Sequence, residues 1–354
     1  MKRFVLFSIL IALSVMGKAQ KNDHHILVER NNAASLLKAI TAANERNADE
    51  QSERLFIILP DGTYDLGDRV LTAITGHNIS IIGQSMTGTI IRNKPDVANE
   101  GIGKTGTLQN WGTGLYLQDL TLQNALDYYN SGAAGRAVCL HDKGTRTICK
   151  RVRMLSYQDT YYSDNETCQH YFEESEIHGT VDFICGAGDV YFNRCTLVTE
   201  RRNVNSGGHN VIIAPRTSQT PWGYVFESCT IRNVESEFHY ARGWHTSPRC
   251  VLLRTTLATP ELLCESRFDS NGMRTVNSEF YEYGTMDLNG DNITPASNVV
   301  TFTLKDEKNA VETILTKEQA RRYQLKKIFP DWRPEKISKR IEKQGAKLLQ
   351  QFGQ

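Results

Sequence analysis

The sequence has no excess of charge of one sign, because its 354 residues include 41 Lys and Arg against 40 Asp and Glu. Proteins that bind nucleic acids usually carry a basic excess or a basic stripe, so this balance argues against a nucleic-acid partner. Beyond its first residues, the chain also lacks any apolar run approaching the roughly 20 residues of a membrane-spanning helix. We therefore expect no membrane span.

The one long apolar run, Phe4–Met16, lies at the start of the chain and is too short for a typical membrane span. Two basic residues precede it, and the small residues Gly17 and Ala19 follow it. This order is typical of a secretory signal peptide. We predict a signal peptide at residues 1–19 and export to the periplasm or the cell exterior; a buried N-terminal helix is the alternative.

The sequence also lacks a CxxC pair, and this absence argues against a zinc site. Eight cysteines are nevertheless present: Cys139, Cys149, Cys168, Cys185, Cys195, Cys229, Cys250 and Cys264. An even number in an exported chain permits disulfides. Several of these cysteines lie in apolar, strand-like runs, where cysteine often acts as a small buried hydrophobe. Both interpretations stay open from the sequence.

The sequence does contain a short pattern of residue types that recurs through its middle region. Each copy has an apolar pair, two or three polar residues, a small residue and an aliphatic one. The copies are residues 115–124, 146–156, 169–179, 189–199, 222–233 and 248–259. Period-two alternation that returns about every 20–25 residues predicts short strands, one per coil of a parallel β-helix. A sandwich or a propeller is the competing all-β fold. The longest step contains the polar, Gly-rich residues 199–210, which we expect to wall a binding cleft.

Both ends of this solenoid are expected to carry a helix. Asn32 is a potential N-cap, and apolar residues follow it at helical spacing, which predicts a capping helix at residues 32–47. Residues 335–354 have apolar side chains spaced among lysines, which predicts an amphipathic helix packed on the solenoid. Because no linker rich in Pro, Gly or Ser interrupts the chain, we predict one domain at residues 20–354.

Two carboxylates lie in strand-like segments at a spacing close to one coil. Asp159 is in "SYQDTYYSD" and Asp182 is in "HGTVDFICG", 23 positions later. Because neighbouring strands lie about 4.8 Å apart, stacking should bring the two carboxylates together. Two carboxyl groups this close do not both lose their protons easily, so the pKa of one of them rises. The pair then supplies one nucleophile or base and one acid, which hydrolysis requires.

Further side chains complete this candidate site. Arg242 in "FHYARGWHT" can keep one Asp ionised and oriented, and the amide of Gln158 can donate to a developing oxyanion. We expect aromatic residues to stack on sugar rings, namely Trp244, Phe183, Tyr161 and Tyr162. Taken singly, an Asp is usually a turn residue and an Arg beside it a solvated pair. Their joint occurrence at one-coil spacing is what favours a site.

Three segments, "YQDTYY", "GTVDFICG" and "ARGW", resemble the marks of the pectin methylesterases, which are right-handed β-helix carbohydrate esterases. Weaker marks at "DGTYDL", "LTLQNA" and "FYEYG" agree, in the same order, over about residues 55–290. The resemblance implies a single-stranded right-handed parallel β-helix that hydrolyses methyl esters of galacturonate in pectin. It implies that the protein needs no metal or cofactor and that its partner is a pectic polysaccharide. We expect a monomer.

The resemblance also implies a role for each matching residue. Asp182 corresponds to the nucleophile and Asp159 to the acid/base. Arg242 corresponds to the arginine that positions the nucleophile, Gln158 to an oxyanion-hole donor, and Trp244 to a substrate-facing aromatic residue.

The sequence departs from the family pattern at three positions. Arg136, in "RAVCL", replaces the first oxyanion glutamine, Gly243 replaces a proline, and Cys185 replaces a phenylalanine. Arg136 still donates hydrogen bonds, and it can bind a substrate carboxylate, while its charge favours ionised carboxylates nearby. The alternatives are a pectin-binding β-helix with altered catalysis, and a β-helix glycoside hydrolase or lyase on pectic polymers.

Overall fold

The computed structural model describes residues 24–96, 101–130, 135–203, 208–244, 248–271, 278–304 and 306–350. The signal peptide predicted at residues 1–19 lies outside these ranges. The strands, in chain order, are β1 (His25–Leu27), β2 (Leu55–Leu59), β3 (Gly62–Asp65), β4 (Thr72–Ile74), β5 (Ile79–Gly83), β6 (Thr89–Asn93), β7 (Leu108–Asn110), β8 (Tyr116–Asn124), β9 (Leu140–Asp142), β10 (Thr147–Leu155), β11 (Tyr161–Ser163), β12 (Gln169–Glu173), β13 (Glu176–Gly179), β14 (Val181–Gly186), β15 (Asp189–Asn193), β16 (Thr196–Thr199), β17 (Asn210–Pro215), β18 (Tyr224–Glu227), β19 (Thr230–Asn233), β20 (Phe238–Ala241), β21 (Arg249–Leu253), β22 (Thr256–Leu257), β23 (Glu279–Tyr283), β24 (Val299–Leu304) and β25 (Glu307–Glu312).

These strands form a solenoid of stacked parallel sheets. Within the described residues, the large sheet has 16 strands, with β2, β5, β8, β10, β12, β15, β18, β21 and β23 side by side in that order. The part of the small sheet that the structure describes has seven strands, in the order β20, β17, β14, β11, β9, β7 and β4. Pairing within both is parallel, for example between β10 and β12 and between β11 and β14. The predicted parallel β-helix is confirmed, and an antiparallel pair, β24 and β25, follows it.

The prediction of one strand per coil is wrong, because a typical coil contributes two strands to the large sheet and one to the small sheet. Residues 169–179, taken as one repeat, contain both β12 and β13. Glu174, between them, has a left-handed backbone with φ of 52°, and Arg194 has the same φ in the next coil. This conformation bends the chain between the two strands. The same bend at Asp119 and Arg151 leaves β8 and β10 as continuous strands.

The interior is filled by side chains that stack from coil to coil. The rings of Phe172 and Phe192 have centroids 4.7 Å apart, and those of Phe192 and Phe226 have centroids 4.4 Å apart. All three are fully buried, and burying a side chain of this size contributes about 1.5–3 kcal/mol. This column holds the middle coils in register and gives the site a rigid support.

The structure has a helix at each of the two segments predicted to be helical. Helix α1 (Ala33–Arg46) begins where the Asn32 side chain accepts a hydrogen bond from the Ser35 N–H, 3.0 Å away. It packs on the end of the solenoid, so the capping helix is confirmed. The C-terminal region contains α2 (Lys317–Ala320), α3 (Leu325–Ile328) and α4 (Pro334–Leu349), and short 3₁₀ turns occur at Ile102–Lys104 and Pro260–Leu262.

Helix α4 lies on the outer face of the large sheet, as the amphipathic pattern predicts. Its Ile341 is fully buried in a cluster with Phe56 and Ile82. A Cβ atom on Gly345 would lie 2.4 Å from Cδ1 of Ile82, so a larger residue there would force the end of the Ile82 side chain to move. The predicted helix extended to residue 354, and residues 351–354 lie outside the described part.

All eight cysteines are free thiols, and seven of them are buried. The structure therefore favours the interpretation of these seven as small buried hydrophobes. Among the described residues, no helix combines the length and the apolar character needed to cross a membrane.

Candidate active site

The small sheet brings Asp159 and Asp182 onto neighbouring coils. Tyr161 of β11 pairs with Ile184 of β14, so each Asp lies two positions before a residue of one pair. The Asp159 N–H donates to the carbonyl of Val181 at 3.2 Å. The 23-residue spacing therefore corresponds to one coil, as the repeat length indicated.

Both carboxylates stand on unusual backbone. Asp159 and Asp182 have φ of 59° and 52°, in the left-handed region, which costs a non-glycine residue roughly 1–2 kcal/mol. The pairing of β14 with β17 is irregular between Val181 and Ile184, and such irregularities often re-aim a side chain beside an active site. The conformation also occurs at ordinary bends such as Glu174, so strain alone does not define the site.

Arg242 holds Asp182 in place with two hydrogen bonds. Its Nε donates to Oδ1 at 2.8 Å, and its Nη2 donates to Oδ2. These bonds raise the pKa of Arg242 above its usual value. A bidentate guanidinium favours the carboxylate form of its partner and fixes its orientation. Asp182 is therefore an oriented anion.

Asp159 has the opposite electrostatic environment. Burial raises its pKa well above the usual range, and the neighbouring Asp182 raises it further. Arg136 and Arg242 partly oppose this rise; the Nε of Arg136 is 3.9 Å from Oδ2 of Asp159. The side chain of Arg136 is 44% exposed and that of Asp159 is 6% exposed, so solvent screens the arginine charge. Asp159 therefore keeps its proton to a higher pH than an ordinary aspartate.

These groups open into one cavity of about 580 Å³, within the range of small-ligand sites. Gln158 and Arg136 are paired on adjacent coils by a parallel bridge. The residues that line the cavity are Gly101, Ile102, Arg136, Gln158, Asp159, Asp182, Arg242, Gly243, Trp244 and Asn271. The structure thus brings together the two Asp, Arg242, Gln158, Arg136 and Trp244.

Two predicted sugar contacts lie in the interior instead. Phe183 and Tyr161 are both 0% exposed, and the Tyr161 hydroxyl lies 2.6 Å from Nδ1 of His170. Phe183 and Ile184 both point into the core, because the irregularity at Asp182 shifts the inward–outward alternation. The prediction that Phe183 and Tyr161 contact substrate is therefore wrong.

Tyr162 supports the cavity wall from behind. It is 7% exposed, and its ring lies between those of His141 and Trp244, with centroid distances of 4.7 and 5.8 Å. Its hydroxyl donates to Asp164 at 2.6 Å. Trp244 is only partly buried and lines the cavity, so Trp244 offers the aromatic surface and Tyr162 braces it.

Arg216 was missed by sequence reasoning. Its guanidinium carbon lies 5.5 Å from the ring centroid of Trp244, and its nitrogens donate to Asp164 and Glu166 at 2.7 and 2.8 Å. It follows β17, outside every motif used above, so no local signal marks it. Ile102 and Asn271 were missed for the same reason.

A cluster of tyrosines lies next to Gln158. The rings of Tyr128 and Tyr157 stack with centroids 4.4 Å apart, and Tyr129 is 45% exposed. The Tyr129 hydroxyl donates to the carbonyl of Arg201 at 3.1 Å. This contact joins the tyrosines to the loop that was predicted at residues 199–210.

Comparison with known proteins assigns the family. The family model described as Pectinesterase matches residues 25–299. Probable pectinesterase 49 of Arabidopsis thaliana is 24% identical over 243 residues, which are 68% of this chain and 65% of that protein. Pectinesterase 1 of Solanum lycopersicum is 30% identical over 257 residues, covering 70% of this chain and 43% of that protein. The chain thus spans less than two thirds of the length of these curated relatives.

Solved structures agree on the fold. Pectin methylesterase PemA from Erwinia chrysanthemi aligns with a TM-score of 0.66 at 24% identity, covering 83% of this chain and 93% of that one. The pectin methylesterase from carrot aligns with a TM-score of 0.67 at 21% identity, covering 83% and 88%. Because the family model covers most of the sequence and these structures share the β-helix, the chain belongs to the pectinesterase family.

Proposed function

We propose that the chain hydrolyses methyl esters of galacturonate residues in pectin, releasing methanol and leaving carboxylates on the polymer. The observation that carries this proposal is a pair of carboxylates with opposite environments. Asp182 is an anion oriented by Arg242, and Asp159 is buried with a raised pKa. Both line one cavity, and membership of the pectinesterase family supports the same reaction.

In the first step, a carboxylate oxygen of Asp182 attacks the ester carbonyl carbon. The carbonyl electron pair moves onto oxygen, where the Gln158 amide donates a hydrogen bond. As the tetrahedral species collapses, the bond to the methoxy group breaks and Asp159 gives that oxygen its proton. Methanol leaves, and an anhydride joins Asp182 to the sugar.

In the second step, water attacks the sugar carbonyl of the anhydride. Asp159, now ionised, takes a proton from that water, as a group that has acted as acid can then act as base. Collapse returns the electron pair to Asp182 and frees the carboxyl group of the product. Arg242 again pairs with the Asp182 anion, so both groups regain their starting charges.

The proposed partner is an acidic polysaccharide. A pectin methylesterase that is 24% identical to this chain, with a TM-score of 0.66, was solved in complex with a hexasaccharide. Here Trp244 offers an aromatic surface for a sugar ring, and Arg136 offers a partly exposed cation for a neighbouring carboxylate. We further propose that the chain acts after export, in the periplasm or outside the cell, and as a monomer.

The second candidate function is binding of pectin without hydrolysis. Arg136 motivates it, because a cation 3.9 Å from Asp159 favours the ionised form of the group that must deliver the proton. The net pKa of Asp159 is nevertheless raised, which favours the esterase.

Product analysis on methyl-esterified polygalacturonan tests the proposal. Methanol release should follow time and enzyme concentration, while the length of the polymer stays unchanged. Binding without methanol release would support the second candidate. Shortened chains would indicate a glycoside hydrolase, and unsaturated chain ends would indicate a lyase; either result would overturn the esterase.

A further inference from the structure

Three side chains with metal-binding atoms meet on consecutive coils. His209 immediately precedes β17, His239 lies in β20, and Cys264 follows Leu263, which is bridged to Phe238. One nitrogen of each histidine and the Cys264 sulfur all lie within 4.8 Å of one another. The candidate active site described above includes none of these three residues.

The solenoid itself produces this meeting. Val211 of β17 pairs with His239 of β20, and the Cys264 N–H donates to the carbonyl of Phe238 at 3.0 Å. Each of the three residues therefore occupies a neighbouring position on the stack. The absence of a CxxC pair argues only against zinc sites whose ligands are close in sequence. The three ligands proposed here are separated by whole coils.

We propose that His209, His239 and Cys264 bind a divalent transition-metal ion, with zinc as the best fit. Zinc bonds are about 2.0–2.1 Å to histidine and 2.3 Å to cysteine, in a tetrahedron. Its donor atoms are then roughly 3.3–3.8 Å apart, as these bond lengths require. The three ligand atoms, now within 4.8 Å of one another, would therefore have to move closer together when an ion binds. Two imidazoles and a thiolate suit zinc or cobalt, whereas calcium and magnesium prefer oxygen ligands.

Partners outside the three ligands fit the same site. Nδ1 of His209 lies 3.2 Å from a carboxylate oxygen of Glu237, and Nδ1 of His239 lies 3.4 Å from the Ser266 hydroxyl. Histidine ligands usually donate their second ring N–H to a carboxylate or another acceptor, which orients the ring. Nε2 of each histidine would then face the ion, and water would complete the tetrahedron.

Cys264 differs from the other cysteines in its accessibility. It is partly exposed, while the remaining seven are buried. The two histidine rings are also accessible, His209 being exposed and His239 partly buried. The ion would reach these ligands from solvent without opening the core.

The location indicates a structural role. His209 lies at the end of the loop 199–210, and its carbonyl accepts a hydrogen bond from Arg202. Asn203, in the same loop, donates from Nδ2 to the carbonyl of Tyr129 at 3.0 Å. A bound ion would tie His209 and the start of β17 to the coils that carry His239 and Cys264, while Arg201 and Asn203 contact the tyrosine cluster.

Zinc binding by the reduced chain tests the proposal. Equilibrium dialysis should find one zinc per chain, and cobalt should give a thiolate charge-transfer band with tetrahedral d–d bands. Cys264→Ser should abolish the charge-transfer band, and both Cys264→Ser and His239→Ala should raise the zinc Kd at least tenfold. His24→Ala is the matched control, because His24 also pairs with a glutamate, 3.3 Å away, and is exposed. Its Kd should equal that of the wild type.

Two outcomes would overturn the site. One is no stoichiometric binding at micromolar zinc. The other is equal binding by the wild type, Cys264→Ser and His239→Ala. Because the substituted side chains are not in the core, the metal-free variants should unfold at the wild-type midpoint, and this comparison separates lost binding from lost folding. Direct measurement of zinc keeps the result independent of esterase activity.

Discussion

Asp182 and Asp119 have the same local geometry in different surroundings. Asp119 has φ of 51° and accepts two hydrogen bonds from Arg151, at 2.6 and 2.8 Å. Asp182 has φ of 52° and the same bidentate arrangement with Arg242. What distinguishes Asp182 is a second carboxylate on the adjacent coil and an open cavity. At this scale, the chemistry comes from the pairing of residues and from no single conformation.

The raised pKa of Asp159 predicts a pH dependence of stability. Below its unfolded pKa of about 3.9, the group is protonated in both states and its contribution to stability is complete. As pH rises toward the raised folded pKa, the unfolded state loses this proton first, so the free energy of unfolding falls. Asp159→Asn should remove this fall. Urea unfolding of both proteins from pH 4 to 9 checks it, and parallel curves would contradict the environment described for Asp159.

Replacing Arg136 with glutamine should move the pH profile of methanol release. Arg136 lowers the pKa of Asp159 against the larger effect of burial, so Arg136→Gln should raise that pKa. Activity that needs protonated Asp159 would then persist to higher pH. The alkaline limb of the activity profile should move to a slightly higher pH. The shift should be small because Arg136 is partly exposed and its charge is screened.

The same variant tests whether Arg136 recognises a particular feature of the substrate. If Arg136 only replaces the family glutamine, Arg136→Gln should keep or raise activity on plain methylated homogalacturonan. An alkaline limb that stays in place or moves down would contradict the proposed coupling to Asp159.

At the scale of elements, α4 is predicted to contribute to stability through its buried face. Ile341→Ala should lower the free energy of unfolding by about 2–5 kcal/mol, because it deletes buried methyl groups and leaves a cavity. Lys343→Ala, on the exposed face of the same helix, should change it by less than about 0.5 kcal/mol. Denaturant midpoints measure both, and equal effects would show that α4 is not docked.

The sequence predicted those elements whose signals are local. Helix α1 has its cap at Asn32, α4 has an apolar stripe, and the repeats alternate with period two. The division of the repeats at 169–179 and 189–199 into two strands each was missed because their bends carry Glu174 and Arg194 in a left-handed conformation. Glycine or asparagine usually marks such a bend, and glutamate and arginine give no such signal.

The candidate site was predictable to the extent that coil length was. The 23-residue step placed Asp159 beside Asp182, and the resemblance pointed to Arg242. The interior positions of Phe183 and Tyr161 depend on a strand irregularity, which no pattern in the sequence marks. Arg216 comes from a longer, irregular coil, so its approach to Trp244 could not be read from spacing.

At the scale of the whole molecule, one buried cluster runs through the solenoid from Val28 to Val311. The site lies on the small sheet over this support, and loops between the sheets wall it. Such a scaffold suits catalysis because the two carboxylates are held before substrate arrives, at no cost in ordering during the reaction. A single domain at residues 20–354 remains a prediction.

The most direct test of the proposed chemistry compares methanol release by the wild type, Asp182→Asn and Asp119→Asn on methyl-esterified polygalacturonan. Asp119→Asn is the matched control, since it neutralises an equally bidentate aspartate away from the cavity. We expect Asp182→Asn to lower the rate by at least about a thousandfold, as loss of a nucleophile does, and Asp119→Asn to retain it. Comparable rates for Asp182→Asn and the wild type would contradict the assignment of Asp182 as the nucleophile.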